Sequence, residues 1–155
     1  MRHVLVGLDG SPRASHVLTT AIALARGQGA KLTLVRSVGL PPDVPTDFWK
    51  ATDEPLIDLL QHRARESLEA FAATVPGDLV VECAVILGVP WQAITDRAAL
   101  IGADLIVIGS HGYGALDRLL GTTAAKIVNH ATCSVLVVRE ASSSDGEITA
   151  LPGRT

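Results

Sequence analysis

The stretch at residues 103–131, ADLIVIGSHGYGALDRLLGTTAAKIVNHA, decides the fold of this chain. It begins with an aliphatic run at 105–108, continues through a loop with four glycines, and ends in a segment with helical spacing from about 122 to 131. A short, continuous apolar run is typical of a strand buried on both faces. A strand followed by a glycine-rich loop and a helix therefore predicts an α/β unit with a parallel sheet.

The rest of the chain repeats this alternation of strand and helix. Apolar runs predict further strands at 3–8, 31–38, 79–87 and 134–139, with helices between them. The order β-α-β-α-β-α-β-α-β predicts right-handed crossovers and a parallel sheet covered by helices on both faces.

Three local signals refine these boundaries. Ser11 is a candidate N-cap of the first helix and Pro12 its candidate first residue. Gly27 and Gly29 are expected to end that helix. Residues 39–55, rich in proline and aspartate, fit neither a helix nor a strand.

Two polar loops follow predicted strands. Asp9, Gly10 and Ser11 come after the first strand, and the glycine loop comes after the fourth. In open α/β sheets, ligands bind outside the carboxyl ends of the strands, at the point where the strand order reverses. If the first and fourth strands are neighbours at that point, both loops line one cleft.

Composition narrows the class of protein. Hydrophobic residues make up 48% of the 155 residues and charged residues 19%, as in a folded globular domain, and aromatics are only 3%, so an aliphatic core is expected. The net charge is −3 with no basic block, which argues against long nucleic acid as a partner.

No apolar run suits a signal peptide or a membrane span. Cys83 and Cys133 lack metal-ligand spacing and are expected to be buried thiols. We expect a cytoplasmic protein with one domain at 1–140 and a flexible tail at 141–155.

The glycine loop has two interpretations. Gly121 and Thr122 begin a helix, where free N–H groups and the helix dipole favour a phosphate, and the Thr122 and Thr123 hydroxyls could donate as well. Alternatively, one of the threonines caps its own helix and the glycines only permit a tight bend, which is the commoner role. The loop fits neither the Walker pattern nor the dinucleotide fingerprint. The residues alone leave both interpretations open.

Three segments together resemble landmarks of the universal stress protein family. Residues 109–139 resemble its C-terminal signature, while VLVGLDGS at 4–11 and GVPWQAI at 88–94 resemble the other two. The resemblance covers about residues 3–139. It implies a single-domain three-layer sandwich, Rossmann-like and similar to the adenine nucleotide α-hydrolases, with a five-stranded parallel sheet in the order 3-2-1-4-5.

The resemblance also implies a site for ATP or a related adenine nucleotide. Mg²⁺ is expected to accompany the phosphates, because the site offers few cationic side chains to balance their charge. In the nucleotide-binding branch of the family, glycines let the backbone approach the ribose and phosphates, a Gly-Thr pair holds phosphate, an acidic residue lies near the adenosine, and the second strand lines the adenine through its backbone. The matching candidates here, with two neighbouring polar residues, are Asp9, Ser37, Gly109, His111, Gly112, Gly121, Thr122 and Thr123.

One departure bears on the phosphate contacts. Eight residues separate Gly112 from Gly121, whereas the binding branch has nine.

The family resemblance further implies a homodimer through the last strand, 134–139. Two alternatives therefore remain beside a regulatory nucleotide-binding protein. One is a nucleotide-free homodimer that acts through protein contacts, and the other is a slow ATPase. The sequence has no recognisable pair of nucleophile and base, so little or no turnover is expected.

Overall fold

The chain folds as alternating strands and helices, in a computed structural model that describes residues 1–39, 54–110 and 120–139, and the side chains of the second helix from residue 57 onward. In chain order the elements are β1 His3–Gly7, α1 Ala14–Gln28, β2 Lys31–Val38, α2 Glu54–Ala72, β3 Val81–Leu87, α3 Pro90–Ile101, β4 Leu105–Gly109, α4 Thr122–His130 and β5 Ser134–Val138.

The five strands form one parallel sheet in the order β3-β2-β1-β4-β5, as the family resemblance implied. The chain moves outward from β1 to β3 with α1 and α2 on one face, then returns through β4 to β5 with α3 and α4 on the other. Crossovers of one hand require this change of face when the direction reverses. β1 and β4 are therefore neighbours at the switch point, and this satisfies the condition for a shared cleft.

The core consists of two aliphatic layers, one on each face of the sheet. Successive strand residues point to opposite faces, so Val4 and Val6 pack under α1 and α2, while Leu5 packs under α3 and α4. The largest fully buried side chains among the described residues are aliphatic, apart from one threonine: Leu5, Leu32, Leu34, Leu68, Ile106, Ile127, Val4, Val6, Val35, Val107 and Thr33. The central strands are thus buried on both faces, and this explains their continuous apolar runs.

The start of α1 differs from the expectation. The helix begins at Ala14 with Arg13 at the N-cap position, so Ser11 is not the cap and Pro12 precedes the helix. The reason is local: Ser11 donates both its backbone N–H and its hydroxyl to Asp9 Oδ1, at 3.0 and 2.6 Å. The hydroxyl that would cap the helix is thereby engaged in a turn with Asp9.

Other boundaries also shift by a few residues. Gly27 lies inside α1, and Gly29 ends the helix in the left-handed conformation with φ 61°. α2 starts at Glu54, inside the stretch that was expected to be irregular, because a proline is tolerated in the first turn of a helix. Leu79 lies in a turn, where its N–H donates to Pro76 O at 3.0 Å, so β3 starts at Val81. In the described parts of the chain, no helix has the length and apolar character to cross a membrane.

The amino end of the sheet holds a buried polar pair. His3 is 4% exposed, and its Nε2 shares a hydrogen bond of 2.7 Å with Oγ1 of the fully buried Thr33. Burial, and secondly the charge of Lys31, lower the pKa of His3. Asp104 accepts the N–H groups of Arg2 and His3, at 2.6 and 2.9 Å, and these bonds lower the pKa of its carboxyl. β1 is thus held at its first residues by groups distant in sequence.

Candidate functional site

The carboxyl ends of β1, β2 and β4 form the candidate site, which we call the switch-point cleft. Its residues in the described chain are those of the turn after β1, the last residues of β2, the end of β4 and the first turn of α4: Asp9, Gly10, Ser11, Arg36, Ser37, Gly109, Gly121, Thr122 and Thr123. The start of α4 belongs to this edge because the crossover from β4 to the parallel β5 begins there.

The turn after β1 fixes the orientation of the Asp9 carboxylate. Asp9 is exposed, and its Oδ1 accepts the two hydrogen bonds from Ser11. On the other side of the turn, the Leu8 N–H donates to Val35 O at 2.9 Å, which keeps the end of β1 paired with β2. The carboxylate is therefore held at the mouth of the cleft by its own turn.

Ser37 offers backbone groups to the cleft. Its hydroxyl donates to Gly88 O at 2.8 Å, so the side chain joins β2 to the end of β3. Alternate residues of β2 face opposite neighbours: Val35 O accepts from Leu8 on the β1 side, and Val38 O accepts from Gly88 N on the β3 side. The backbone of Ser37 therefore faces β1, beyond the last paired residues of that strand. This arrangement suits the backbone role that the family resemblance implied for Ser37.

Gly109 lies close to α1. A Cβ at this position would lie 3.4 Å from Val17 Cγ2 of α1, at the short limit of ordinary van der Waals contact. Gly7, which pairs with Val35 near the same edge, is more constrained, since a Cβ there would lie 2.9 Å from side-chain atoms of Ile108 and Ile94. Gly7 therefore lets α3 and β4 approach the end of β1 closely.

The first turn of α4 shows that neither threonine has the capping role. Gly121 is the N-cap residue, with φ −60° and ψ 153°, and it has no side chain to cap the helix. Thr122 and Thr123 lie inside the helix and are exposed, so neither is its N-cap. Backbone N–H groups at an N-terminus without a side-chain cap favour an anion. His111 and Gly112, together with the shortened loop, lie outside the described residues.

Arg36 is a residue of the cleft that the sequence analysis missed. It is half-buried at the end of β2, and a Cβ built on Gly10 would lie 2.9 Å from its Nη2. The guanidinium therefore covers the turn that holds Asp9. The signal was present in the sequence, because Arg36 precedes Ser37 and is two positions after the buried Leu34, on the same face of the strand.

The two cysteines lie outside the cleft. Both are half-buried and not fully buried as expected, and each packs against a different layer of the core. Burial raises the pKa of both thiols, which makes them poor nucleophiles and poor metal ligands at neutral pH. Within residues 1–39, 54–110 and 120–139, no group of three or more His, Cys, Asp and Glu side chains is arranged to hold a metal ion.

Comparison with known proteins identifies the family. The model of the universal stress protein family matches residues 1–139. This chain belongs to the universal stress protein family. The sequence landmarks at the start, middle and end of the domain therefore indicated the family correctly.

Relatives of this universal stress protein cover most of its length. A Staphylococcus aureus (strain USA300) protein assigned to the same family is 34% identical over 143 residues, which are 89% of this chain and 84% of that protein. The structure of the universal stress protein UspA from Lactobacillus plantarum is 28% identical, covers 89% of this chain and 97% of its own, and has a TM-score of 0.71. A universal stress protein solved in complex with cAMP is 26% identical, covers 90% and 98% of the two chains, and has a TM-score of 0.59.

Proposed function

We propose that this universal stress protein reversibly binds an adenine nucleotide in the switch-point cleft, as a regulatory signal that contributes to stress resistance. The observation that carries the proposal is the start of α4, where Gly121 leaves the first turn without a side-chain cap at the edge that also holds Asp9. The related protein solved with cAMP supports an adenine nucleotide as the class of ligand.

Each part of the cleft has a matching part of the ligand. The backbone of Ser37 faces β1 and would contact the adenine, whose ring nitrogens and amino group need both donors and acceptors. The Asp9 carboxylate would accept hydrogen bonds from the ribose hydroxyls. The N–H groups at the start of α4, with the Thr122 and Thr123 hydroxyls, would bind phosphate oxygens.

ATP with Mg²⁺ is the proposed form of the ligand. Mg²⁺ keeps several water molecules and is commonly held by substrate phosphates with one or two carboxylates. The described cleft supplies one carboxylate, that of Asp9, and therefore fits an ion that arrives bound to the nucleotide. Mg²⁺ would neutralise charge on the phosphates, and the helix N-terminus would orient them.

The test compares two glycine variants by thermal shift and calorimetric titration with adenosine, AMP, ADP and ATP. Gly121→Val places a branched side chain where a phosphate must approach backbone N–H groups, so we expect ATP affinity to fall at least about tenfold while adenosine affinity changes little. Gly77→Val is the control, because a Cβ at Gly77 meets no atom within 4 Å and this glycine lies at the opposite end of the sheet.

Two further outcomes separate the alternatives. Asp9→Asn keeps an acceptor for the Ser11 hydrogen bonds but removes the charge, so it should weaken adenosine and ATP to a similar degree. Release of inorganic phosphate from ATP would instead indicate a slow ATPase. If wild type shows no heat and no thermal shift with millimolar ATP and Mg²⁺, the nucleotide proposal is wrong.

Assembly is the second candidate function, and the position of β5 favours it. β5 is an edge strand of the sheet, and its sequence, SVLVV, carries no proline and no charge that would discourage pairing with another chain. A two-fold homodimer through this edge is the simplest closed assembly. Such a dimer is compatible with nucleotide binding, because the cleft is centred on β1 and β5 lies at the rim of the sheet.

A further inference from the structure

Arg36 reaches from β2 to the turn that follows β1, at the centre of the switch-point cleft. Its Nη2 lies 2.9 Å, and its Cζ 3.7 Å, from the position that a Cβ on Gly10 would occupy. Gly10 is the third residue after β1 and lies in the turn that holds Asp9. The guanidinium thus lies against this turn, at the carboxyl edge of the sheet.

The surroundings of Arg36 leave its donors available. Among the described residues, none forms a hydrogen bond or an ion pair with the guanidinium. The group is half-buried and carries a positive charge and five N–H donors. A half-buried cation of this kind favours an anion or a strong acceptor as a partner.

The stem of Arg36 is well positioned. The hydrogen bond from Leu8 N to Val35 O ties the two strand ends together immediately before Arg36. Leu34 on the same face is fully buried, which anchors the strand in the core. Because Gly10 has no side chain, the guanidinium can lie directly against the backbone of the Asp9 turn.

We propose that Arg36 is a specificity-determining residue, which makes the cleft select anionic adenine nucleotides over neutral adenosine. The inference rests on the proposed function and adds the charge of the ligand to it. The guanidinium brings a positive charge to the turn that holds Asp9, and a positive charge attracts the phosphate of a nucleotide. The guanidinium lies against the turn after β1, and charges are screened strongly only beyond about 8 Å at physiological ionic strength, so it would act on a phosphate bound in the same cleft.

Two substitutions test the role of the charge and one tests its position. Arg36→Gln removes the charge, and Arg36→Lys retains it without the planar guanidinium. Gly10→Ala keeps the arginine but displaces it, since the new Cβ would overlap Nη2 and a flexible side-chain end moves at little cost. Arg63→Gln, on an exposed position of α2, makes the same change in net charge away from the cleft.

Calorimetric titration with adenosine and AMP at low and high salt gives the readout. We expect Arg36→Gln to lower AMP affinity about tenfold and to leave adenosine affinity within about twofold. Arg36→Lys should recover part of the loss, Gly10→Ala should lose part of the affinity for AMP, and Arg63→Gln should match wild type. The salt dependence of AMP binding should be weaker in Arg36→Gln than in wild type.

The outcomes distinguish this inference from the proposed function. If wild type binds AMP and Arg36→Gln binds it equally well, the proposed role of Arg36 is wrong, while the proposal of nucleotide binding is supported. Equal losses for adenosine and AMP would also overturn it, because they would show contact with the nucleoside. If wild type binds neither ligand, both proposals fail together. Equal melting temperatures of the Arg36 variants and wild type would show that the differences are not due to unfolding.

Discussion

Single residues at the two ends of the sheet have different tasks. At the amino end, the buried pair of His3 and Thr33 joins β1 to β2 inside the core, and Asp104 binds the N–H groups that precede the ladder. At the carboxyl end, the exposed Asp9 carboxylate and the half-buried Arg36 guanidinium bring opposite charges to one turn. Buried polar groups are satisfied by protein partners, and the Arg36 guanidinium at the mouth of the cleft is suited to a ligand.

The His3 pair predicts that stability depends on pH. Because the pKa of His3 is lowered in the folded chain, the folded state binds fewer protons than the unfolded state below about pH 6.5. The free energy of unfolding should therefore fall as the pH decreases from about 7.5 to about 5.5, by at most about 1.4 kcal/mol per pH unit. Denaturant unfolding of wild type at a series of pH values measures this loss.

His3→Gln identifies the residue responsible. Glutamine can still bond with Thr33 but does not titrate, so the loss of stability over this range should shrink. The charged groups that act on the His3 ring are Lys31, Glu82 and Asp104. The pKa of the Asp104 carboxyl is lowered, so this group stays ionised over the whole pH range of the experiment. His16→Gln, on an exposed position of α1, is the control. An unchanged pH dependence in His3→Gln would contradict this account.

Among the elements, the two edge strands differ in how they meet solvent. β3 carries the exposed charge of Glu82 on its ladder, whereas β5 from Val135 to Val138 is entirely aliphatic and half-buried. Val135 and Val137 pack against the layer under α3 and α4, and Leu136 and Val138 against the layer under α1. β5 is thus the edge strand whose two faces are both apolar and which carries no proline or charge to discourage pairing.

We expect the homodimer to depend on this edge. Val137→Lys places a charge on β5 and should raise the concentration needed for dimerisation, which sedimentation at micromolar protein measures. Val85→Lys on β3 is the matched control, because it puts the same charge on a half-buried valine of the opposite edge. It should destabilise the fold to a similar degree without changing the association. A monomeric wild type at these concentrations would show that the dimer proposal is wrong.

The whole molecule is stabilised mainly by the two apolar layers on either side of the sheet. Its peripheral contacts contribute less: Arg26 forms a two-point ion pair with Asp78 at 2.8 and 3.0 Å, but both side chains are more than half exposed. Exposed pairs of this kind contribute little to stability. Among the described residues, the last side chains packed on the core are those of β5, and the match to the family model ends at residue 139.

Removal of residues 141–155 is therefore expected to leave stability unchanged. This segment is polar, rich in serine and glycine, and has no core-facing periodicity. A chain that ends at Glu140 should melt at the temperature of the full chain in calorimetry. Truncation before Leu136 is the contrast, since it removes side chains that pack on the core and should lower the melting temperature strongly. A drop of several degrees for the first truncation would mean that the tail contacts the domain.

Local sequence alone determined the fold class and most of the elements. Continuous aliphatic runs such as that of β4 reflect burial on both faces, and helical spacing reflects burial on one, so each element carries its own signal. Helix starts were less certain, because a residue such as Ser11 can bond with its own turn instead of capping the helix. The family landmarks, and not the periodicity, supplied the strand order.

Only the tertiary structure decided which residues share the cleft. β1 and β4 are about one hundred residues apart in the chain, and their pairing brings Asp9 and Gly109 to one edge. The contact of Arg36 with Gly10 and the direction of the Ser37 backbone depend on the register of β2 against β1. A periodic pattern records whether a residue is buried, but not which distant residue it meets, because that depends on strand order, register and side-chain rotamer. Arg36 was therefore visible in the sequence, while its place above the Asp9 turn was not.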